Sequence, residues 1–335
     1  MGIDLPLIWA IIIAFGVMMY IIMDGFDLGI GILYPLIPTK HDRDVAMNTV
    51  APIWDGNETW LVLGGAGLFA AFPLVYSVVL TALYLPLLFM LLGLIFRGVA
   101  FEFRFKASAR RRHIWDKAFI GGSVSAAFFQ GVTLGAFIYG LPMTNGQFAG
   151  SVLGWIAPFP LFTGVGLVIA YALLGSTWLS MKTEGGLHTR MRHIAGRLSW
   201  LLLATIIIIS IWTPWHSTHI AARWFSLPNF FWFVPVPILV VLTMLVLQRA
   251  LRRDFTATPF ICALALMFLG YTGLIISIWP NILPPDISIW EASGPAQSLG
   301  FTLVGALLTI PIILTYTTMS YYVFRGKVRP DDDFY

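Results

Sequence analysis

Four carboxylates fall in two short segments whose spacing repeats. One segment reads Met23-Asp24-Gly25-Phe26-Asp27-Leu28-Gly29-Ile30-Gly31, and the other Ala51-Pro52-Ile53-Trp54-Asp55-Gly56-Asn57-Glu58-Thr59-Trp60. In each, an Asp-Gly-x-acid pattern sets two acids three residues apart, which puts both on one face of a helix. Both segments border long apolar runs. An acid within a membrane span costs about 2.5–3.5 kcal/mol on insertion scales and marks a functional hypothesis by default. Closely spaced carboxylates in a low dielectric hold one another's protons and can relay them. A structural reading stands beside this one. Asp55 and Glu58 suit a helix N-terminus through the macrodipole, and a nearby cation such as Arg97 can pair with an acid or snorkel to the surface. Arg97 and Glu102 close a third apolar run and Asp116 opens a fourth, so the first four runs bring acids and one arginine to the same end. Spacing alone leaves relay and structural pairing both open.

The elements that must position these groups are membrane helices. Of 335 residues, 58% are hydrophobic and 11% charged, where a soluble domain is nearer a quarter charged. The apolar runs are long enough to cross a hydrocarbon core, which takes about 20 residues of helix. The expectation is an all-α integral membrane protein with nine transmembrane helices, near 7–33, 52–72, 76–101, 116–139, 158–181, 197–213, 231–248, 258–279 and 299–324. Residues 1–335 read as a single membrane domain: a first four-helix group over about 7–139 with the acidic cluster, a second over about 158–279, and the ninth helix at 299–324. Pro35 and Pro38 end the first span, Pro52 suits the first turn of the second, and Pro73 ends it. The sixth is the shortest, with Pro214 just beyond it. Asp24 falls roughly 26 Å along the first helix at 1.5 Å per residue, near its inner end. Gly25, Gly29, Gly31 and Gly56 would let helix backbones approach closely.

Basic residues set the orientation. Under nine spans, every one of the 20 Lys and Arg residues except Arg223 lies on one side, from Lys40 and Arg43 in the first link to Arg325, Lys327 and Arg329 in the tail. Cytoplasmic links carry the positive excess. The N-terminus is therefore expected to be periplasmic and the C-terminus cytoplasmic. The N-terminus also lacks the basic start of a cleaved signal.

The remaining metal- and redox-capable residues are placed unhelpfully for such chemistry. His41, His113, His188, His193, His216 and His219 all fall in links or at span ends, whereas an intramembrane haem or copper centre usually takes imidazole ligands from helices. No metal site and no catalytic centre is expected in this chain alone. His216 and His219, in Trp-His-Ser-Thr-His, read as interfacial residues rather than outer-surface metal ligands. The methionines read as packing, and the single cysteine, Cys262, as a small buried hydrophobe.

Four segments carry a resemblance. DGFDLGIG at 24–31, APIWDGNETWLV at 51–62, FRGVAFEFR at 96–104 and WDK at 115–117 resemble subunit II of the cytochrome bd family of quinol oxidases, most strongly over residues 20–120. The compact length resembles the cyanide-insensitive branch. The resemblance implies a bacterial inner-membrane, oxygen-reducing quinol oxidase in which this chain is the non-haem subunit. Its partner, subunit I, would carry the b-type haems and haem d (or a further haem b), and the two would form a pseudo-symmetric heterodimer. A structural ubiquinone, lipid and a small accessory subunit are compatible with the family; nucleic acid is not expected. In the family, protons for oxygen reduction pass from the cytoplasm through subunit II. Its first aspartate falls on Asp55, next to Trp54, and Asp27, Arg97 and Asp116 fall on other polar family positions. Glu58 and Glu102 stand where family members vary between acids, or between Gln and Glu. The implied proton path is thus Asp55, Glu58, Asp27, Asp24, Glu102 and Asp116, with Trp54 and Arg97 in support.

Two other functions compete. A proton-coupled secondary transporter would place its polar groups and broken helices near the midplane, whereas the central thirds of these spans are almost free of charge. A haem-bearing redox subunit would need intramembrane histidine.

Overall fold

The computed structural model describes residues 3–108, 110–285 and 287–328; Arg329 of the basic tail lies outside them. The first helix, α1 (Leu5–Leu33), starts where Asp4 accepts a hydrogen bond from the Leu7 amide at 3.1 Å and Pro6 sits in the first turn. A 3-10 turn (Tyr34–Leu36) and a short helix, α2 (Lys40–Asn48), lead to α3 (Trp54–Ala71). Pro73 then begins α4 (Pro73–Lys106). Within α4, Pro86 lacks the amide that would bond the carbonyl four residues back, and Leu83 leaves helical geometry at φ −120° and ψ 20°. The fifth helix, α5 (Arg112–Tyr139), ends at Gly140, and α6 (Pro158–Lys182) returns. Between them Asn145 and Gly146, at φ 53° and 75°, turn a two-residue hairpin of β1 (Met143–Thr144) and β2 (Gln147–Phe148).

The second half follows the same alternation. It runs through α7 (Gly185–His216), α8 (Thr218–Phe225), α9 (Asn229–Phe233), α10 (Pro235–Arg252) and α11 (Thr258–Ile278). A small hairpin of β3 (Asn281–Leu283) and β4 (Ile287–Ser288), then α12 (Ile289–Ala292), precede α13 (Ala296–Val323). The short sixth span expected at 197–213 is in fact the 32-residue α7. Its first turns are polar and invisible to an apolar-run criterion, and Pro214 is accommodated in its last turn.

Among the described residues, eight helices are long and apolar enough to cross a membrane. The exception among the nine expected is α3, whose opening turns carry Asp55, Asn57, Glu58 and Thr59 and dilute its hydropathy. It packs along α1. Large apolar side chains exposed along α4, α10 and α13, such as Leu92, Leu242 and Leu307, fit a hydrocarbon solvent rather than water.

Small residues bring the helices together. Gly29 of α1 meets Gly175 of α6 so closely that a Cβ at either would strike the other helix's backbone, and Gly93 of α4 meets Gly122 of α5 in the same way. Gly25 and Gly31 are also crowded, against Tyr171 and Ser123, whereas Gly56 meets only the Tyr316 ring. These crossings clamp the second half of α1 between α5 and α6, where Asp24 and Asp27 lie.

Candidate functional site

The second half of α1 is polar on its inward face. Tyr20, Asp24 and Asp27 succeed one another at helical spacing and all are buried. Arg97 of α4 is fully buried opposite them and forms an ion pair with Asp24 through its Nη2. The same nitrogen lies 3.8 Å from Glu58 of α3, whose side chain is 30% exposed. Asn57, one residue earlier, donates from Nδ2 to Asp27 Oδ2 at 2.8 Å, and Tyr321 of α13 donates its hydroxyl to Asn57 Oδ1 at 2.9 Å. The tyrosine fixes which end of the Asn57 amide faces Asp27. Trp54 stacks on Phe101 with ring centroids 5.1 Å apart, and its ring lies 5.6 Å from the Arg97 guanidinium carbon. That places Trp54 and Phe101 as an aromatic wall beside the cation.

Hydrogen bonding in this cluster is incomplete. Asp24 Oδ2, Asp27 Oδ1, Tyr20 Oη, and Arg97 Nε and Nη1 are buried without a hydrogen-bond partner. Buried polar atoms normally find partners, in protein or in ordered water. Several polar atoms converging from α1 and α4 are suited to share bridging water.

Helix α1 ends at Leu33, as expected, and Asp24 lies about 14 Å from that end at 1.5 Å per residue. Arg97 is equally far from the end of α4 at Lys106. Asp55, by contrast, is exposed at the start of α3.

The other two acids do not join the cluster. Glu102 faces outward and pairs with Lys106 at 3.4 Å. Asp116 belongs to a separate ionic set at the helix ends. There the buried Arg104 contacts Asp116 and Asp44, each at 2.6 Å, while Arg43 lies 3.5 Å from Asp116 and Arg112 lies 3.8 Å from Asp44. Sequence spacing did not single out Tyr20, Asn57, Tyr321 or Asp44. Tyr20 was legible one turn before Asp24. Tyr321 was not, being 264 residues from its partner.

His41, His113, His193, His216 and His219 are at the surface or at helix ends. His216 stacks on Tyr139, and His188 is engaged by the Ser180 carbonyl and Asp254.

Comparisons with known proteins agree with this architecture. The family model described as cytochrome bd terminal oxidase subunit II matches residues 5–324. The cytochrome bd-I ubiquinol oxidase subunit 2 of Escherichia coli (strain K12) is 28% identical, over 98% of this chain and 96% of its own length. The cytochrome bd ubiquinol oxidase subunit 2 of Bacillus subtilis (strain 168) is 26% identical, over 96% of each. A chain in the structure of the bd oxidase from Geobacillus thermodenitrificans superposes with a TM-score of 0.78 at 16% identity, covering 97% of this chain and 100% of that one, and so shares the fold.

Proposed function

The chain belongs to the cytochrome bd terminal oxidase subunit II family, and on that premise we propose that it is the second subunit of a quinol:oxygen oxidoreductase, bracing the haem-bearing first subunit and admitting protons from the cytoplasm. It is a multi-pass protein of the bacterial inner membrane. In this reading α3 is the ninth span, the N-terminus is periplasmic and the C-terminus cytoplasmic. The two subunits form a pseudo-symmetric heterodimer, with lipid, quinone and a small accessory subunit as further partners. The haems of the first subunit supply the electron transfer to oxygen.

Reduction of oxygen to water consumes protons as well as electrons, and taking those protons from the cytoplasm contributes to the proton-motive force. The observation that supports a path through this chain is a gradient of exposure along acids. Asp55 is exposed, Glu58 partly so, and Asp24 and Asp27 are fully buried with one carboxylate oxygen each lacking a partner. Asp55 takes up the proton at the start of α3, one helical turn from Glu58. Arg97 stays protonated and accepts no proton, so in this reading transfer from Glu58 to the buried carboxylates of Asp24 and Asp27 uses bridging water. Arg97 keeps the buried carboxylates from being an uncompensated negative charge while leaving acceptor atoms open. Glu102 and Asp116 act, in this reading, only at the outer approach.

Asp55→Asn in the assembled oxidase removes the titrating group and nearly keeps the shape. Quinol-driven oxygen uptake should fall by about 100-fold or more, the lower end of what a positioned proton-transfer group contributes, with the haem spectrum intact. Wild-type turnover would overturn the uptake role. Loss of the haems together with activity would assign Asp55 to structure instead.

A further inference from the structure

Arg223 is the single basic residue that the charge pattern isolates from all the others, and the fold puts it at the end of the bundle opposite the acidic cluster. There α5, α7 and α11 end, and α8 lies across them. A cavity of about 350 Å³ opens between these ends, lined by Tyr139, His216, Thr218, His219, Arg223 and Asn281, among others. Two hydrogen bonds pin α8 in place. Arg223 donates from Nε to the Ile276 carbonyl at 2.5 Å, and Trp224 donates from Nε1 to Ser277 Oγ at 2.8 Å. The guanidinium is thereby held at one nitrogen, and among the described residues its two terminal amino groups have no hydrogen-bond partner.

The polar part of the lining is rich in donors. It combines a cation, two imidazoles and the hydroxyls of Ser217 and Thr218, while Ser277 already donates to the Gly273 carbonyl and Asn281 to the Pro285 carbonyl. Among the described residues no carboxylate lines it and none lies within ion-pairing distance of Arg223. His216 is fixed by stacking on Tyr139 at 3.7 Å. An arginine fork beside neutral donors suits the oxygens of a phosphate group.

The surroundings favour a lipid as the source of that phosphate. Trp215, Phe225, Phe231 and Trp232 are 64–86% exposed and follow one another along α7 to α9. Such exposed aromatic groups at span ends mark headgroup depth. Helix α10 leads away from that level with Ile238, Leu242 and Leu245 exposed, a surface for acyl chains. We infer that this cavity binds the phosphate of an anionic membrane phospholipid, with Arg223 as its principal contact and His219 and Thr218 as further donors.

Native mass spectrometry of the intact oxidase would test this after delipidation and titration with phosphatidylglycerol or phosphatidylcholine. Arg223→Gln should weaken one class of phosphatidylglycerol adduct by about tenfold, as expected for one charge-assisted contact, and leave phosphatidylcholine adducts unchanged. Oxygen uptake by the same sample reports that the complex is folded. His219→Gln should weaken the same adduct class less, and it keeps the inference testable if Arg223→Gln fails to assemble. Unchanged phosphatidylglycerol binding in both variants would overturn the inference. So would full displacement of the lipid adduct by inorganic phosphate at equal concentration, which would make the site one for free phosphate.

Discussion

Arg97 and Arg104 sit on the same helix about two turns apart, both buried, in opposite ionic company. Arg97 is one cation among Asp24, Glu58 and, through Asn57, Asp27. Arg104 belongs to a set in which each carboxylate meets two cations: Asp116 meets Arg104 and Arg43, and Asp44 meets Arg104 and Arg112. The inner set is acid-rich, and buried polar atoms without a hydrogen-bond partner occur in both sets. The outer set is base-rich, and it ties together α4, α5 and the α2 segment at the helix ends. Carboxylates that outnumber their cations can share protons between them, whereas a base-rich set has only a structural use for its acids. In the proposed reading, the same residue type on one helix serves transfer at one depth and fastening at another.

The largest effect that could break this contrast is expected at Arg97. Arg97→Gln leaves Asp24 buried without its partner, which costs about 3–5 kcal/mol, and the oxidase should assemble poorly or melt far below wild type. The double variant Arg97→Gln with Asp24→Asn removes the lone charge and should recover part of the loss. Thermal melting of the purified complexes measures both, and a single variant as stable as wild type would mean that Asp24 is already neutral and independent of Arg97.

Arg104→Gln should matter less. Asp116 keeps Arg43 and Asp44 keeps Arg112, so the cost falls nearer about 1–3 kcal/mol, that of lost charged hydrogen bonds. Oxygen uptake per assembled complex should stay within about twofold of wild type, because in the proposed reading Asp116 acts only at the outer approach and the inward route from Asp55 bypasses this set. A large drop in uptake with normal assembly would place the outer set on the path and erase the contrast.

A smaller effect, internal to the acid-rich set, is expected at Tyr321. Tyr321→Phe frees the Asn57 amide to turn its oxygen toward Asp27. The loss of one hydrogen bond costs about 1 kcal/mol, and turnover should fall a few-fold while melting shifts only slightly. Turnover equal to wild type would show that the orientation of Asn57 is immaterial.

The inner and outer sets differ in how far the sequence discloses them. Asp24, Asp27, Asp55 and Glu58 announce themselves because acids beside apolar runs are conspicuous, and their i, i+3 spacing holds on helices whose existence hydropathy reveals. The long helices were legible for the same reason. Separating Glu102 and Asp116 from the inner acids was not, because proximity to a helix end in sequence does not tell which face a side chain takes. Glu102 follows Arg97 by five residues and so points away from it, toward Lys106. Asp44 was hidden in a short polar helix without a hydropathy signal. The long polar start of α7 escaped for that reason too, and it contributes to a third ionic set.

That third set gives the smallest effect and the limiting case of the comparison. Asp254, in the turn between α10 and α11, accepts from His188 and Arg192 of α7 with its side chain 56% exposed. Those hydrogen bonds, His188 first, hold its carboxyl below the usual aspartate range. A carboxylate depressed in the folded state stabilises it above the unfolded pKa of about 3.9, and the contribution fades as pH falls through the lower folded value. Asp254→Asn should therefore lower the melting temperature slightly at pH 7, by under about 3 °C for an exposed pair. The gap to wild type should close below about pH 4. It should also shrink in 1 M salt, where the screening length drops to about 3 Å, whereas the deficit of Arg97→Gln should persist because its charges are shielded from solvent. A salt-resistant loss at Asp254 would mean that exposure does not rank these three sets, and that depth is not what separates transfer from fastening.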